Sequence, residues 1–248
     1  MTNVRGRNRT APQAAGEART AMPVPDDDPF EKPWRDPARG DKLGLIGVGG
    51  DLRPRTLLAA YRDGVFPWFS DGDPILWWSP DPRAIFELDG IHCSKSLART
   101  IRSGRFRTTV DREFEAVMRA CGTTRPDGTW VTESMVAGYA ELHRLGHAHS
   151  LEVWSEAGPG DWHLAGGIYG VAQGGLFAGE SMFHHARDAS KVALVALGEH
   201  LCAQGYTLFD TQMVTAHTTS MGAVDIPRSD YLTRLKDALL LKKVRFKD

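Results

Sequence analysis

Three successive runs of sequence decide the class of fold: SLEVW at residues 150–154, LAGGIYGV at 164–171 and GLFAGESMF at 175–183. Each run is short, rich in β-branched, aromatic or glycine residues, and bounded by turn residues, which is typical of strands. A helix is predicted next at residues 190–203, followed by a strand at 206–214. Because strands and helices do not alternate regularly, the pattern predicts a mixed sheet in an α+β arrangement.

The sequence before these strands predicts helices and tight turns. The apolar spacing within residues 55–63 predicts a helix that ends at Gly64. The prolines between residues 67 and 82 favour turns and short extended pieces. Further helices are predicted at residues 94–103 with Ser94 as the N-cap, 112–121, 134–145 and 229–240.

Residues 1–42 differ in composition from the rest of the chain. They contain six of the 14 prolines, and their only Val, Ile, Leu or Phe residues are Val4, Val24 and Phe30. Such a segment buries too little apolar surface to offset the ordering of its backbone. The predicted division is a disordered tail at 1–42, a small N-terminal domain at 43–92 and a larger domain at 93–248.

The composition of the 248 residues is that of an ordinary globular protein. With 30 basic and 31 acidic side chains the net charge is −1, so contact with RNA would require a local basic patch. No apolar run approaches the ~20 residues that cross a bilayer, so no membrane association is expected. The three cysteines are far apart, and the N-terminus lacks the apolar stretch of a secretory signal, so a cytoplasmic location is expected.

Two local patterns superficially resemble a metal site and a nucleotide site, but neither pattern is complete. His143, His147 and His149 have the spacing H-x3-H-x-H, but Gly146 should end the helix between them and no H-E-x-x-H pattern is present. Structural histidines are therefore favoured, and no metal is predicted. The glycines of residues 47–50 lack the spacing of a phosphate-binding loop, so a turn is favoured there.

Carboxylates within apolar strands are the most informative local chemistry. Asp210 and Gln212 are two positions apart on a predicted strand, so they share a face about 6–7 Å apart. Glu180 lies in another strongly apolar strand. Because buried charges are costly unless they are paired, two interpretations stay open: a structural network that includes a salt bridge to an arginine, or a functional site.

A basic stripe and several tryptophans would suit RNA. The basic residues recur every three or four positions around one predicted helix: Lys95, Arg99, Arg102 and Arg105. The tryptophans offer flat surfaces for base stacking: Trp68, Trp77, Trp78 and Trp130. A solvated helix face and core packing are the simpler interpretations of these two sets.

Motifs in one order along residues 43–235 resemble a known family. They are GGDL at 49–52, YRDGVFPWF at 61–69, PILWWSPDPR at 74–83, GTWVT at 128–132, LGHAHSLEVW at 145–154, GIYGVAQG at 167–174, GESMF at 179–183, SK at 190–191, DTQ at 210–212 and HT at 217–218. This set resembles the leucyl/phenylalanyl-tRNA–protein transferases. The resemblance implies a small N-terminal domain and a larger domain like the GCN5-related N-acetyltransferases (GNAT-like).

The resemblance also implies an activity. Such an enzyme transfers Leu, Phe or Met from aminoacyl-tRNA to the N-terminal Arg or Lys of an acceptor protein, which marks that protein for N-degron degradation. No metal or cofactor is implied. A monomer is expected.

The resemblance assigns roles to residues of this chain. Asp210 and Gln212 match a pair that draws the proton from the attacking amine, and Glu180 matches an acidic residue beside them. The alternative is that the 3′ end of the tRNA assists and these residues position the substrates. The matched binding residues are Ile168 and Phe209 for the Leu or Phe side chain, Trp68 and Trp130 for the terminal adenosine, and Lys95, Arg99 and Arg102 for the tRNA acceptor stem.

Two other functions compete with this interpretation. A CoA-dependent N-acetyltransferase requires a glycine-containing loop before a helix N-terminus, and residues 184–189 contain no glycine. A non-catalytic RNA-binding module would use the basic helix and the tryptophans, but it would leave Asp210, Gln212 and Glu180 without a role.

Overall fold

The structure is a computed structural model that describes residues 21, 22, 24, 30–123 and 131–246. The strands are β1 (Leu45–Val48), β2 (Phe66–Pro67), β3 (Leu76–Trp78), β4 (Arg83–Phe86), β5 (Phe106–Val110), β6 (Ala148–Gly158), β7 (Asp161–Gln173), β8 (Leu176–His184), β9 (Leu208–Gln212) and β10 (Val224–Ile226). The helices are α1 (Pro54–Arg62), α2 (Lys95–Arg102), α3 (Phe114–Thr123), α4 (Glu133–Arg144), α5 (Ala189–Gln204), α6 (Ala216–Ser220) and α7 (Arg228–Leu239). These positions confirm the predicted strands and long helices to within a few residues.

The described strands form two sheets. A three-stranded sheet has the order β1-β3-β2, and a seven-stranded sheet has the order β10-β4-β9-β8-β7-β6-β5. The pairs of the larger sheet are antiparallel except β8 and β9, which are parallel and joined through α5. A mixed sheet with helices is therefore confirmed, whereas the GNAT-like assignment remains a prediction.

Apolar side chains cover both faces of the larger sheet. Along β7, Tyr169 packs in a core with α1, α3 and α4, while Ile168 packs in a second core with α2 and α5. Neighbouring strand residues point to opposite faces, so one strand contributes to both cores. Helix α5 is apolar on most sides because it lies against four strands of the sheet.

The segment before β1 contacts the fold earlier than predicted. Trp34 is 7% exposed, forms a bridge with Gly47, and donates its indole N–H to Asp63 at 2.9 Å. The Arg228 guanidinium donates to the carbonyl oxygens of Gly40 and Asp41. The prediction of a tail that extends to residue 42 is therefore wrong for residues 30–42, because Trp34 supplies the apolar surface that a count of Val, Ile, Leu and Phe overlooked. Residues 1–20 lie outside the described part.

The boundary predicted after residue 92 also differs from the structure. Strand β4 belongs to the larger sheet, where it lies between β10 and β9 and is fully buried. The two sheets are therefore divided between Trp78 and Arg83. The turn that contains Pro80 and Pro82 separates them. Among the described helices, none combines the length and the apolar character that a membrane crossing requires.

Candidate active site

Two cavities meet where strands β8 and β9 part. The parallel pairing ends at Ala178 and Asp210, although β8 continues to His184. The larger cavity has a volume of about 350 Å³ and the smaller one about 150 Å³. Both are lined by Glu180, Thr211, Gln212, Met213 and Thr215. Ligands of open sheets commonly bind where neighbouring strands separate, so this junction is the candidate site.

Gln212 has an unusual backbone conformation at the junction. Its φ of 61° lies in the left-handed region, which is costly for a residue other than glycine. The Asp210 carboxylate stabilises this turn by accepting the backbone N–H of Gln212 at 2.9 Å. The Gln212 amide Nε2 then donates to Glu180 at 3.1 Å. Asp210 therefore acts on the cavity through Gln212 and lines neither cavity itself.

Asp210 is paired with an arginine behind the cavity wall. The Arg83 guanidinium donates from Nε at 2.8 Å and from Nη2 at 2.6 Å, and both side chains are fully buried. Tyr231 donates its hydroxyl to the same carboxylate at 2.8 Å. Of the two interpretations left open by the sequence, the salt bridge to an arginine is present. With the N–H of Gln212, four donors engage Asp210, so its geometry suits positioning.

The environment of Arg83 is built for a buried cation. Its guanidinium lies 4.8 Å from the ring centre of Phe66 and 4.5 Å from that of Tyr231, where cation–π attraction is favourable. Its Nη1 donates to the carbonyl oxygen of Gly64. Burial alone would lower the pKa of Arg83, but the Asp210 carboxylate more than offsets this and raises it.

Glu180 is the titratable carboxyl group that lines both cavities. Burial raises its pKa to about 8, although hydrogen bonds from Tyr61 and Tyr139 oppose the shift. Tyr139 donates to Glu180 at 3.3 Å, and the hydroxyls of Tyr61 and Tyr139 are hydrogen-bonded to each other. Burial also raises the pKa values of both tyrosines. Strongly shifted carboxyl groups in clefts are candidates for proton transfer.

The residues predicted to bind the amino-acid side chain lie at different depths. Ile168 lines the larger cavity together with Gly179 and Met182. Phe209 is fully buried beneath these three residues. A Cβ atom added to Gly179 would stand 2.9 Å from the Phe209 ring. Phe209 therefore supports the cavity from beneath rather than lining it.

The predicted nucleotide-binding residues are only partly described. Trp68 lines the smaller cavity and is 40% exposed. Its neighbour in the predicted clamp, Trp130, lies outside the described residues. Lys95, Arg99 and Arg102 are exposed on α2, without an ion-pair partner in the described part of the chain, and line neither cavity.

Four residues of the network behind the site were not predicted from the sequence. These are Arg83, Tyr61, Tyr139 and Tyr231. Arg83 lies 127 positions from Asp210, and Tyr61 lies 78 positions from Tyr139. Local spacing carries no signal for contacts between residues this far apart in sequence. The one available signal was a charged residue, Asp210, in an apolar strand, because a buried carboxylate requires a cation as its partner.

The three histidines of the H-x3-H-x-H pattern do not converge. His149 bonds to Asp111 at 2.7 Å, and His143 lies 3.7 Å from the same carboxylate. His147 instead contacts the carbonyl oxygen of Met22. Asp111, His143 and His149 offer donor atoms within 4.8 Å of one another, but each ring also has a protein partner at its Nδ1. The cluster is accounted for by these hydrogen bonds.

Comparisons with known proteins agree along most of the chain. The family model described as leucyl/phenylalanyl-tRNA protein transferase matches residues 85–236, and the model of the N-terminal domain of that transferase matches residues 50–81. The interval between the two matches falls where the structure divides the two sheets.

Curated relatives match over similar lengths. A leucyl/phenylalanyl-tRNA–protein transferase of Magnetococcus marinus is 53% identical over 82% of this chain and 87% of its own. Those of Pseudomonas syringae and Klebsiella pneumoniae are 50% and 52% identical, covering 84% and 77% of this chain and 89% and 80% of their own. The L-PGS structure from Bacillus licheniformis covers 63% of this chain and 56% of its own at 16% identity, and its TM-score of 0.38 is too low to support a conclusion.

Proposed function

The chain belongs to the leucyl/phenylalanyl-tRNA protein transferase family, and we propose that its reaction takes place where the two cavities meet at Glu180 and Gln212. It is an aminoacyltransferase that moves Leu or Phe from aminoacyl-tRNA to protein N-termini. The observation that supports this location is the shifted carboxyl group of Glu180, bonded to Gln212, at the junction.

The chemistry of the donor and the acceptor defines what the site must supply. The donor is an ester and the acceptor is an amine, so formation of the amide is downhill without another energy source. An α-amino group has a reference pKa of about 7.7–8, so part of it is already neutral near pH 7. The enzyme therefore has to align the two groups, accept a proton and support the developing oxyanion.

The two cavities divide the donor between them. The terminal adenosine occupies the smaller cavity beside Trp68, whose exposed ring is available for stacking. The Leu or Phe side chain occupies the larger cavity against Ile168 and Met182. The ester carbonyl then lies near Gln212. A second stacking role for Trp130 rests on the family resemblance alone.

Glu180 is the proposed proton acceptor. The amine nitrogen attacks the ester carbon, the C–N bond forms, and the proton of the amine passes to the Glu180 carboxylate. The C–O bond to the ribose then breaks, and the ribose oxygen takes this proton from Glu180, which restores the carboxylate. Because the pKa of Glu180, about 8, is close to that of an α-amino group, the first transfer is nearly balanced in energy, which favours general-base catalysis near neutral pH.

Gln212 and Asp210 have supporting roles in this proposal. Gln212 orients Glu180 and the incoming amine through its amide. Asp210 is a positioning residue, because Arg83 and Tyr231 engage its carboxylate and its contact with the site passes through the Gln212 backbone. This positioning role replaces the direct removal of the amine proton by Asp210 that the family resemblance implies.

The proposal also includes the acceptor, a third donor residue, the cellular location and the contacts with the tRNA stem. The acceptor begins with Arg or Lys and becomes an N-degron substrate, Met is a third donor residue, and the protein is a cytoplasmic monomer. The exposed residues Lys95, Arg99 and Arg102 contact phosphates of the acceptor stem. These statements follow from the family resemblance and from the exposed charge of α2.

A transfer assay tests the function directly. The full chain is mixed with radiolabelled Leu-tRNA and a peptide that begins with Arg, with an N-acetylated copy of the peptide as the control. Label should pass to the free peptide only. Retention of the label on bound tRNA would instead support an RNA-binding module, and acetyl-CoA turnover without tRNA would support an acetyltransferase. Replacement of Lys95, Arg99 and Arg102 by Glu should weaken tRNA binding and flatten its salt dependence.

A further inference from the structure

The larger cavity has a polar wall that the Leu or Phe side chain does not explain. Ser181, Thr211 and His217 lie in this wall, and each has a buried polar atom without a hydrogen-bond partner in the described part of the chain: Ser181 Oγ, Thr211 Oγ1 and His217 Nε2. Ser181 is only 7% exposed. Orphaned buried polar atoms are rare in native proteins and require an explanation. An apolar side chain in the cavity would leave all three atoms unpaired.

The same wall contains the start of helix α5. Ser190, in its first turn, lines the cavity, and no acidic residue lies within that turn. The N-cap residue Asp188 has a φ of 70° and makes no capping hydrogen bond. Its carboxylate is instead near Lys191 and Arg187, at 3.9 and 3.8 Å. The first N–H groups of a 16-residue helix thus lack a side-chain cap, an arrangement that favours bound anions.

The charged groups around this wall make it positive. Burial lowers the pKa of His217, and the charge of Lys191 and the proximity of His184 lower it further. Asp188 lies beside them and is faced by two cations. Glu180 lines the same cavity, where burial favours its neutral form. An anion that entered the cavity would meet His184 and the helix terminus, with Lys191 close to His217.

We propose that the wall formed by Ser181, Ser190, Thr211 and His217, with Lys191 beside it, binds a phosphodiester group of the single-stranded 3′ end of the tRNA. This inference rests on the proposed function, in which the esterified nucleotide lies in the adjoining cavity. The apolar donor side chain and a cationic acceptor terminus supply no anion, whereas each nucleotide before the last supplies one phosphate.

The position of α6 supports a path for the RNA toward this wall. His217 lies in α6, and Met221, directly after that helix, accepts the backbone N–H of His92 at 2.8 Å. Ser94, two residues further, begins the basic helix α2. The polar wall therefore meets α6 at His217, and the segment that leads into α2 meets the residue directly after α6. A strand of RNA that follows α6 would pass from the wall toward the basic helix.

Minimal donors with and without the charge test the proposal. The full chain is given Leu esterified to CpA with a natural phosphodiester, and the same compound with an uncharged methylphosphonate linkage. Because hydrogen bonds to an ionised group are the stronger ones, kcat/KM should be about 10-fold higher for the charged donor. The variants S181A and K191M should bring the two donors to within about threefold by lowering only the charged one. The variant K236M, on the exposed face of α7, is the matched control and should preserve the difference.

Three results would overturn the assignment. Equal use of both donors by the unmodified chain would show that the charge is not recognised. Equal loss on both donors in S181A and K191M would show that the wall is only structural. Inhibition by inorganic phosphate together with equal use of the donors would indicate a site for free anions. Failure of the proposed function gives a different result from failure of this subsite, because intact Leu-tRNA would then give no product with any peptide. In that case the phosphate subsite would also be rejected.

Discussion

Glu180 in β8 is half-buried and Glu152 in β6 is fully buried, and these two glutamates of one sheet differ in their partners. Burial raises the pKa of both, to about 8 and about 7. Glu152 accepts hydroxyl bonds of 2.5 Å from Thr109 and Ser150, and it lines neither cavity. Glu180 has longer bonds of 3.1 and 3.3 Å, and it lies beside polar atoms without partners. The length of the hydrogen bonds and contact with the cavities, more than the pKa, therefore distinguish a structural carboxyl group from one available to a substrate.

Removal of each carboxyl group in turn gives the largest expected contrast. Glu180→Gln should lower kcat by about 100- to 10,000-fold, the usual contribution of a general base. Glu152→Gln should leave kcat within about threefold, because it keeps the shape of a group that is remote from the cavities. Single-turnover transfer from Leu-tRNA measures both. Similar losses of kcat in the two variants would contradict the distinction between a catalytic Glu180 and a structural Glu152.

Loss of the cation that pairs with Asp210 should give the largest decrease in stability among these variants. Arg83→Met leaves Asp210 buried without its cation, which should reduce the free energy of unfolding by about 3–5 kcal/mol. Arg234→Met is the matched control, because its 2.6 Å ion pair with Glu87 is exposed at the surface and should contribute at most about 1 kcal/mol. Urea unfolding measures both, and equal effects would contradict a buried pair.

Two serines beside the two glutamates sharpen the comparison. Ser150→Ala removes a donor to Glu152 and should cost about 1–3 kcal/mol of unfolding free energy. Ser181→Ala removes a hydroxyl that has no described partner, so stability should stay within about 0.5 kcal/mol or rise. Denaturant midpoints at an unchanged m-value give the two numbers. A larger loss in Ser181→Ala would mean that its hydroxyl is already bonded within the protein.

The pH dependence of stability gives the smallest expected signal. Both glutamates have a pKa above the ordinary 4.5, so between these values the folded chain binds more protons than the unfolded chain. Their contribution to stability is complete below pH 4.5 and is lost as the pH rises, by about 7 for Glu152 and about 8 for Glu180.

Difference curves isolate each glutamate from the histidines. The lowered pKa values of His147 and His217 act in the opposite direction, since they reduce stability as the pH falls. Unfolding free energies of the unmodified chain minus those of each Gln variant should therefore fall until about pH 7 for Glu152 and about pH 8 for Glu180. Difference curves that coincide would show that the two environments are equivalent.

The sequence predicted the strands and helices more completely than the contacts between them. Periodicity identified the strands of Glu180 and Asp210, because side-chain alternation is a local property. The backbone reversal at Gln212 and the identity of the arginine that pairs with Asp210 were not predicted, since both depend on contacts made only in the folded chain. Trp34 was missed for a different reason: one aromatic side chain anchors a segment whose composition is otherwise that of a tail.

The link between Arg83 and Asp210 has a consequence for biosynthesis. The arginine leaves the ribosome 127 residues before its counter-charge, a delay of roughly 6–25 s at about 5–20 residues per second. Throughout that interval the nascent N-terminal part carries a hydrated cation that cannot yet be enclosed. Strand β4, which pairs with β9 and β10, can therefore reach its final arrangement only when translation is almost finished. Premature termination before residue 210 would leave Arg83 without its counter-charge.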